Sequence, residues 1–319
     1  MKKHITIIFA IVSFQIGLSQ IGVIASSKVM GATVIKKEIE PGDLEELKNS
    51  TTVFVLQNKE KAKINDYKKA AEQVWNFNKI FFVTNDELDK YLGKSGYSFF
   101  SPSRITVAGG GGTSDAYFMS LWIPDAGKKG KTEAKPFAVY IQYRDVTAGL
   151  STKWGGTKSN EPGAEDIFYD LTPGYVKCFL SVINSRLKEN KGTKTHDEVE
   201  DTNVLKEMEK DTLFIPDYVL IGVGMKGGKK LKIEDLLEKY SFPYKVLSND
   251  ELSNKIINAK KNTFILSYLY YGNSKCFTVF EGKSGKMIYN SHKEMAMKGI
   301  TDSDFNTLFK IIAKTAGHN

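Results

Sequence analysis

Short apolar runs alternate with amphipathic stretches along most of the chain, a pattern that predicts strands alternating with helices. The first apolar run, Thr52–Leu56, is typical of a buried strand. The second, Ile80–Val83, predicts the next strand, and the stretch between them predicts a helix that packs one face on a sheet. Four apolar residues of that helix recur at helical spacing: Tyr67, Ala70, Ala71 and Val74.

The same order of elements returns in the second half of the chain. The tetrapeptide Asn85–Leu88 follows an aromatic helix end and an apolar run, and Asn249–Leu252 follows the same two features. Each half is predicted to end in a helix, and the apolar faces of these two helices match at a constant offset of 130 residues. The matching pairs are Tyr175 and Phe305, Cys178 and Leu308, Phe179 and Phe309, and Val182 and Ile312.

We therefore predict an α/β fold with two tandem copies of a β-α-β-α-β-β-β-α unit, each a mixed sheet flanked by helices. The first unit covers residues 26–187, and the second covers residues 205–319. Residues 188–204 are charged and poor in apolar side chains, which predicts a linker. Helical crossovers join the first three strands of each unit, so these should be parallel and the fourth antiparallel.

The repeated tetrapeptide has a structural explanation that requires no function. Thr84 or Asn85, and Ser248 or Asn249, can accept hydrogen bonds from the free amides at a helix start. The acidic residues that follow suit the positive end of the helix dipole. We favour helix capping over a paired-carboxylate catalytic site.

Residues 1–25 are predicted to be a removable export signal. Two lysines precede an apolar stretch, Ile5–Phe14, and small residues near Ala25 suit cleavage. The alternative is a retained membrane anchor, which the polar residues within 15–20 disfavour. We expect an exported chain, periplasmic or secreted, with no stable membrane span once the signal is removed.

The charge pattern argues against nucleic-acid binding. The chain carries a formal charge of +8, and removal of Lys2 and Lys3 lowers it to about +6. The surplus is interspersed with acidic residues, and the arginines are limited to Arg104, Arg144 and Arg186. Arginine is the side chain that best grips phosphate, so its scarcity disfavours a phosphate-binding surface.

The two cysteines, Cys178 and Cys276, could form a disulfide in an exported protein. They fall on non-equivalent elements, a helix and a strand, so a bridge would have to cross between the units. Two buried thiols are the preferred interpretation.

The clearest candidate for a binding site comes from residues that only the first unit contains. Two long loops, Ser101–Asp115 and Arg144–Leu171, are predicted to leave the carboxyl ends of its third and fifth strands. Ligands tend to bind at that edge of an open α/β sheet. Tolerated insertions without function are the alternative. The candidate ligand-binding residues are Arg104, Asp115, Arg144, Asp145, Lys153 and Trp154.

Motifs for cofactors and catalysis are weak in this sequence. The segment Gly222–Gly227 matches the dinucleotide pattern G-x-G-x-x-G, with Asp250 at the distance of a ribose-binding acid. However, it lies some residues before the next predicted helix, and the first unit has no glycine at the equivalent connection. His196, His292 and His318 have no metal-ligand spacing, and His292 is placed in a loop. We predict no cofactor, no metal and no catalytic residue.

These observations favour a non-enzymatic exported protein that binds an envelope or extracellular ligand or protein partner. The alternative is a cell-envelope hydrolase or a nucleotide-dependent enzyme that uses the loops of the first unit or Gly222–Gly227. Binding is preferred because the sequence lacks a convergent set of histidine, cysteine or metal-binding residues. The identity of the ligand does not follow from the residues.

Overall fold

A computed structural model of the chain describes residues 41–109, 112–123, 137–140, 169–191, 198–221, 230–271, 274–294 and 299–318. In the first half, one sheet is built by strands that alternate with helices and end in a hairpin. The elements in chain order are α1 (Pro41–Asn49), β1 (Thr51–Leu56), a 3₁₀ helix (Asn58–Lys63), α2 (Ile64–Glu72), β2 (Lys79–Thr84), a second 3₁₀ helix (Asn85–Lys90), β3 (Tyr97–Gly109), β4 (Gly112–Trp122), β5 (Phe137–Tyr140) and α3 (Pro173–Lys188).

The second half builds another sheet. Its elements in chain order are β6 (Val199–Glu200), α4 (Thr202–Leu205), a 3₁₀ helix (Lys206–Glu209), β7 (Leu213–Pro216), a 3₁₀ helix (Asp217–Leu220), α5 (Ile233–Leu236), β8 (Tyr244–Leu247), α6 (Asn249–Ile257), β9 (Phe264–Tyr271), β10 (Ser274–Glu281), β11 (Lys286–Lys293) and α7 (Asp302–Thr315). Strand β6 falls within the predicted linker and pairs with β11 at the edge of this sheet.

Both sheets are mixed, with helices packed on them, as the sequence predicts. The strand order is β2-β1-β3-β4-β5 in the first sheet and β6-β11-β10-β9-β7-β8 in the second. In the first, β1 is parallel to β2 and β3, while β4 is antiparallel to β3 and β5. In the second, β7 is parallel to β8 and β9, while β10 is antiparallel to β9 and β11. The predicted strand directions are therefore confirmed.

The prediction of a loop over Ser101–Asp115 is wrong, because this stretch belongs to a long hairpin. Strands β3 and β4 pair continuously from Phe99 opposite Trp122 to Gly109 opposite Gly112. Strand β1 pairs with β3 only as far as Phe100, so the hairpin continues beyond the pairing with β1. The described part of this stretch therefore forms two paired strands rather than an open loop.

Three sequence patterns at element boundaries can be compared with the structure. The apolar residues 218–221 predict an extension of the strand, but Asp217–Leu220 form a 3₁₀ helix. Asp302 and Ser303 are candidate caps for the last helix, but Thr301 caps α7. The pair Thr172 and Pro173 predicts a helix start, and α3 begins at Pro173 with Thr172 at its cap.

Helix α3 lies in a core that both halves share. It packs with Phe54 and Phe100 of the first sheet and with Ile265 and Phe280 of the second. Helices α2 and α6 flank α3, so these three form a helical layer between the two sheets. Residues 173–180 are all buried, so α3 needs apolar residues on more than one face. The residues of α3 that meet this need are Tyr175, Val176, Cys178, Phe179, Leu180, Ile183 and Leu187.

Buried hydrogen bonds also join the two halves. The ammonium group of Lys177, which is 1% exposed, donates to the carbonyl oxygens of Ile256 at 3.2 Å and Gly282 at 2.7 Å. Burial lowers the pKa of this lysine. The hydroxyl of Tyr175 donates to the carbonyl oxygen of Leu266 at 2.6 Å. These bonds satisfy polar groups that would otherwise be costly to bury.

Both cysteines are buried thiols, which confirms the preferred interpretation. Burial raises the pKa of Cys178 and of Cys276 to about 12. Because the thiolate is the reactive form, we expect neither thiol to react with a maleimide at neutral pH in the folded protein. Both should react within the same time in urea, as mass spectrometry can measure. Rapid labelling of either cysteine without denaturant would contradict this burial.

The predicted export signal, residues 1–25, lies outside the described residues. In the ranges that the structure describes, no helix combines the length and the apolar character needed to cross a membrane. The described chain begins with α1, whose Leu47 is buried in the core shared by the two halves.

Candidate functional site

The carboxyl ends of parallel strands from both sheets meet on one side of the protein. Lys63 follows β1 through a 3₁₀ helix, and Asp250 follows β8 at the start of α6. The ammonium nitrogen of Lys63 lies 3.4 Å from a carboxylate oxygen of Asp250. We call this surface the joint edge, and we define it by Gln57, Glu60, Lys63, Tyr169–Thr172 and Asn249–Asp250. Such edges are where open α/β sheets bind ligands.

The segment Tyr169–Thr172, which leads into α3, lies between the two sheets at the joint edge. On one side, the hydroxyl of Tyr67 donates to the carbonyl oxygen of Leu171 at 2.5 Å. On the other side, the amide of Asn249 donates to the carbonyl oxygen of Tyr169 at 2.8 Å. The ring of Tyr169 also stacks on Tyr218 with centroids 5.0 Å apart. The segment therefore contacts both halves.

A shallow pocket opens at the carboxyl end of β1. It measures about 240 Å³ including the space open to solvent, but a water-sized group can occupy only about 10 Å³ of it. That is roughly the room for one water molecule or one ligand hydroxyl group. The residues that line it are Phe54, Val55, Leu56, Gln57, Glu60, Tyr67, Met119, Leu171 and Val176.

Gln57 has an unusual position in this lining. Its side chain is 6% exposed, and its amide nitrogen Nε2 has no hydrogen-bond partner among the described residues. A buried polar group without a partner costs about 1–3 kcal/mol, so such groups are uncommon in folded proteins. The hydroxyl oxygen of Thr172, next to Leu171, is also buried without a partner in the described part of the chain.

Two buried phenols near the joint edge, those of Tyr67 and Tyr218, stay protonated and cannot act as bases. Burial raises the pKa of Tyr67 far above its ordinary value, and the neighbouring Glu60 carboxylate raises it further. Burial and the charge of Asp170 do the same for Tyr218. Both hydroxyls therefore stay protonated at physiological pH. The hydroxyl of Tyr67 contacts Glu60 Oε2 at 3.1 Å, which fixes the carboxylate beside the pocket.

The two repeated tetrapeptides cap helices, as the sequence predicts. Thr84 and Glu87 form a capping box at the 3₁₀ helix after β2, and Ser248 and Glu251 form one at α6. The pKa of Glu251 is lowered, first by a hydrogen bond from the Ser248 side chain. The carboxylates of Glu87 and Glu251 accept hydrogen bonds from the backbone amides of the cap residues, which agrees with the capping interpretation.

A buried ion-pair cluster lies at the corresponding edge of the second sheet. There Asp304 accepts hydrogen bonds from Lys275 at 2.6 Å and from Lys293 at 2.9 Å. Its carboxylate also accepts from the amide of Thr301 at 2.9 Å. Both lysines of this cluster are therefore paired with one buried carboxylate. The second half also contains buried hydroxyls without a partner among the described residues, those of Tyr240 and Tyr268.

The structure describes only part of the site that the sequence predicts. Arg104 and Asp115 lie in the β3–β4 ladder, opposite Tyr117 and Thr106, and not in a loop. The remaining candidates, Arg144, Asp145, Lys153 and Trp154, lie outside the described residues. Their long segment ends at Leu171, however, and that residue lines the pocket at the joint edge.

Sequence reasoning missed Gln57, Glu60 and Lys63. They lie in the connection after β1, which has no glycine motif, so no sequence pattern indicated a site there. A usable signal was present: a glutamine directly follows a buried strand at its carboxyl end, where polar side chains tend to face ligands.

The dinucleotide motif, Gly222–Gly227, lies outside the described residues, and Asp250 pairs with Lys63. His292, expected in a loop, lies in strand β11, where burial lowers its pKa. Across the described ranges, no three histidine, cysteine, aspartate or glutamate side chains are placed to hold a metal ion. Comparisons of the chain with protein-family models, curated proteins and solved structures gave no match.

Proposed function

We propose that this chain is an exported, non-enzymatic protein that binds an envelope or extracellular ligand or partner at the joint edge. Three features support binding over catalysis. The pocket lies at the carboxyl end of β1, its lining includes Gln57 with a buried amide that has no partner among the described residues, and its phenol, Tyr67, remains protonated. A protonated phenol cannot abstract a proton from a ligand, and the proton of Tyr67 is already donated to the carbonyl oxygen of Leu171.

We also propose that the two halves, residues 26–187 and 205–319, are copies of one unit. The order of strands β2-β1-β3-β4-β5 corresponds to β8-β7-β9-β10-β11, with the same parallel and antiparallel neighbours. The terminal helices α3 and α7 present matching apolar positions, and both tetrapeptides form capping boxes. Under this proposal, the first copy binds a ligand at this edge, whereas the Lys275–Asp304 ion pair lies at the corresponding edge of the second copy.

Export rests on the first 25 residues, which combine two lysines, an apolar stretch and small residues near Ala25. Fractionation of cells that express the full chain, followed by N-terminal sequencing, tests the proposal. We expect the protein outside the cytoplasm with a new N-terminus near residue 26. A full-length chain recovered from the cytoplasm would contradict it.

The observation that carries the binding proposal is the buried Nε2 of Gln57. If that amide is kept for a ligand, it costs stability in the free protein. We therefore expect Gln57→Met to raise the free energy of unfolding by about 1–2 kcal/mol, because methionine fills a similar volume without a buried donor. Urea denaturation of wild type and variant measures the change.

Gln73→Met is the matched control, since Gln73 directly follows α2 and its side chain donates to the carbonyl oxygen of Ile257 at 3.1 Å. That amide has a structural partner, so its loss should lower stability by about 0.5–1.5 kcal/mol. If Gln57→Met destabilises the protein as Gln73→Met does, Gln57 is a structural residue and the proposed site falls.

A further inference from the structure

We infer that the pocket at the joint edge receives an uncharged hydroxyl group, and that the ligand is a neutral saccharide. This inference rests on the proposed function and adds the chemical class of the ligand. It follows from the donors and acceptors that line the pocket, from their charge, and from the size of the space.

The lining of the pocket supplies one donor and one acceptor for a small group. Nε2 of Gln57 requires an oxygen that can accept a hydrogen bond. The carboxylate of Glu60, a pocket residue whose side chain is 16% exposed, accepts hydrogen bonds only. A hydroxyl group both accepts and donates, so it satisfies the two side chains at once. An ammonium group could not accept from Gln57.

The charge around the pocket disfavours anions. Among the residues that line the pocket, Glu60 is the charged one. Its partner Lys63 lies outside the lining, 3.9 Å from Glu60 and 3.4 Å from Asp250. Because the charge in the lining itself is negative, a ligand carboxylate or phosphate in the pocket would be repelled. This also argues against a nucleotide at this pocket.

The surroundings suit the rest of a saccharide. The space admits about one hydroxyl, so most of the ligand must lie outside on the shallow surface. Two residues before Leu171 lies Tyr169, a half-buried aromatic side chain that Tyr218 holds in place by stacking. Aromatic rings at binding surfaces combine an apolar face with a polar tip, which suits the mixed surface of a sugar.

Calorimetric titration of the mature protein tests the ligand class. The neutral probes are maltotriose and triacetylchitotriose, and the charged probes are trigalacturonate and NAD. We expect a neutral trisaccharide to bind wild type at least about tenfold more tightly than Gln57→Met, since the variant leaves the ligand hydroxyl without its donor. Gln73→Met should bind as wild type does.

The other outcomes of the titration distinguish a failure of the saccharide class from a failure of the proposed binding site. If trigalacturonate or NAD binds in a manner that depends on Gln57, the proposed site stands and the saccharide class is wrong. If a neutral saccharide binds equally well to wild type and to Gln57→Met, the joint edge is not its site and both proposals fail. If no neutral probe binds wild type, the saccharide class is overturned, while the stability of Gln57→Met still tests the binding role.

A second variant, Glu60→Gln, tests the exclusion of anions. Glutamine keeps an oxygen that can accept from Tyr67 and from the ligand, but it removes the negative charge. We expect the affinity for trigalacturonate relative to maltotriose to rise by about tenfold or more. An unchanged ratio would show that the charge of Glu60 does not select the ligand.

Discussion

Replacement of Asp304 by alanine is expected to lower the free energy of unfolding by about 3–5 kcal/mol, because it leaves a buried ammonium without its partner. The Lys275 side chain is 8% exposed, and its nitrogen lies 2.6 Å from Asp304 Oδ2. Of the bonds described for it, the variant keeps only that to the carbonyl oxygen of Gly299 at 3.3 Å. The same carboxylate closes the capping box of α7 with Thr301, so the helix start is weakened too.

The comparison of this variant with Asp302→Ala separates burial from charge. Asp302 begins the same helix but is exposed, so its loss should cost no more than the helix-dipole contribution of about 0.3–1 kcal/mol. Chemical denaturation measured by circular dichroism gives both values. Equal effects of the two substitutions would show that Asp304 stabilises the fold only through its negative charge at the helix start. Its pairing with Lys275 would then add nothing.

The effect of Asp304 should also depend on pH. Burial alone would raise the pKa of this carboxyl, but the hydrogen bonds from Lys275 and Lys293 outweigh burial and lower it below 3.8. A lowered folded-state pKa means that the carboxylate stabilises the fold fully above the ordinary value and loses that contribution as pH falls through the folded-state value. The difference between wild type and Asp304→Ala should therefore be largest near neutral pH and shrink in acid.

The fold could be predicted where local patterns decide the structure. Apolar spacing identified the helix that contains Tyr67, and the capping residues identified the starts after β2 and β8. The connection lengths also gave the strand directions correctly. These features depend on residues only a few positions apart, so a single sequence is enough to predict them.

The β3–β4 hairpin and the pocket could not be predicted in the same way. Residues 101–109 and 112–115 are mostly small or polar, and they form strands because each one pairs with the other arm. The pocket joins Gln57, after β1, to Leu171, which is far away in the chain. Their contact depends on α3 lying between two sheets, which no local pattern encodes. The hairpin and the pocket therefore depend on strand pairing and helix packing between distant parts of the chain, which local sequence patterns do not reveal.

Helix α3 also explains why the joint edge has a fixed shape. It is the last element of the first half, yet it packs against α6 of the second half. It directly follows the segment Tyr169–Thr172, whose Leu171 lines the pocket. The crossing of α3 and α6 is close, since the amide of Gly174 donates to the hydroxyl of Ser253 at 2.9 Å. A change that separates these helices should therefore disturb both the stability and the pocket.

Gly174→Ala is the direct test of that crossing, and we expect it to destabilise the protein by about 1–3 kcal/mol. An added Cβ would lie 2.7 Å from Ser253 Cα and 2.8 Å from its carbonyl oxygen, and this backbone cannot rotate away as a side chain can. Relief of the clash requires α3 and α6 to move apart, so binding at the joint edge should weaken as well. Equilibrium unfolding and ligand titration measure the two effects.

Gly42→Ala provides a closely matched control. Gly42 also follows a proline at the start of a helix, but an added Cβ there has no heavy atom within 4 Å. Alanine restricts the unfolded chain and favours helix, so this change should be neutral or stabilising by up to about 1 kcal/mol. If both substitutions gave the same small gain, α3 and α6 would not be held at the observed distance. The joint edge would then lack the rigid support that a preformed binding site requires.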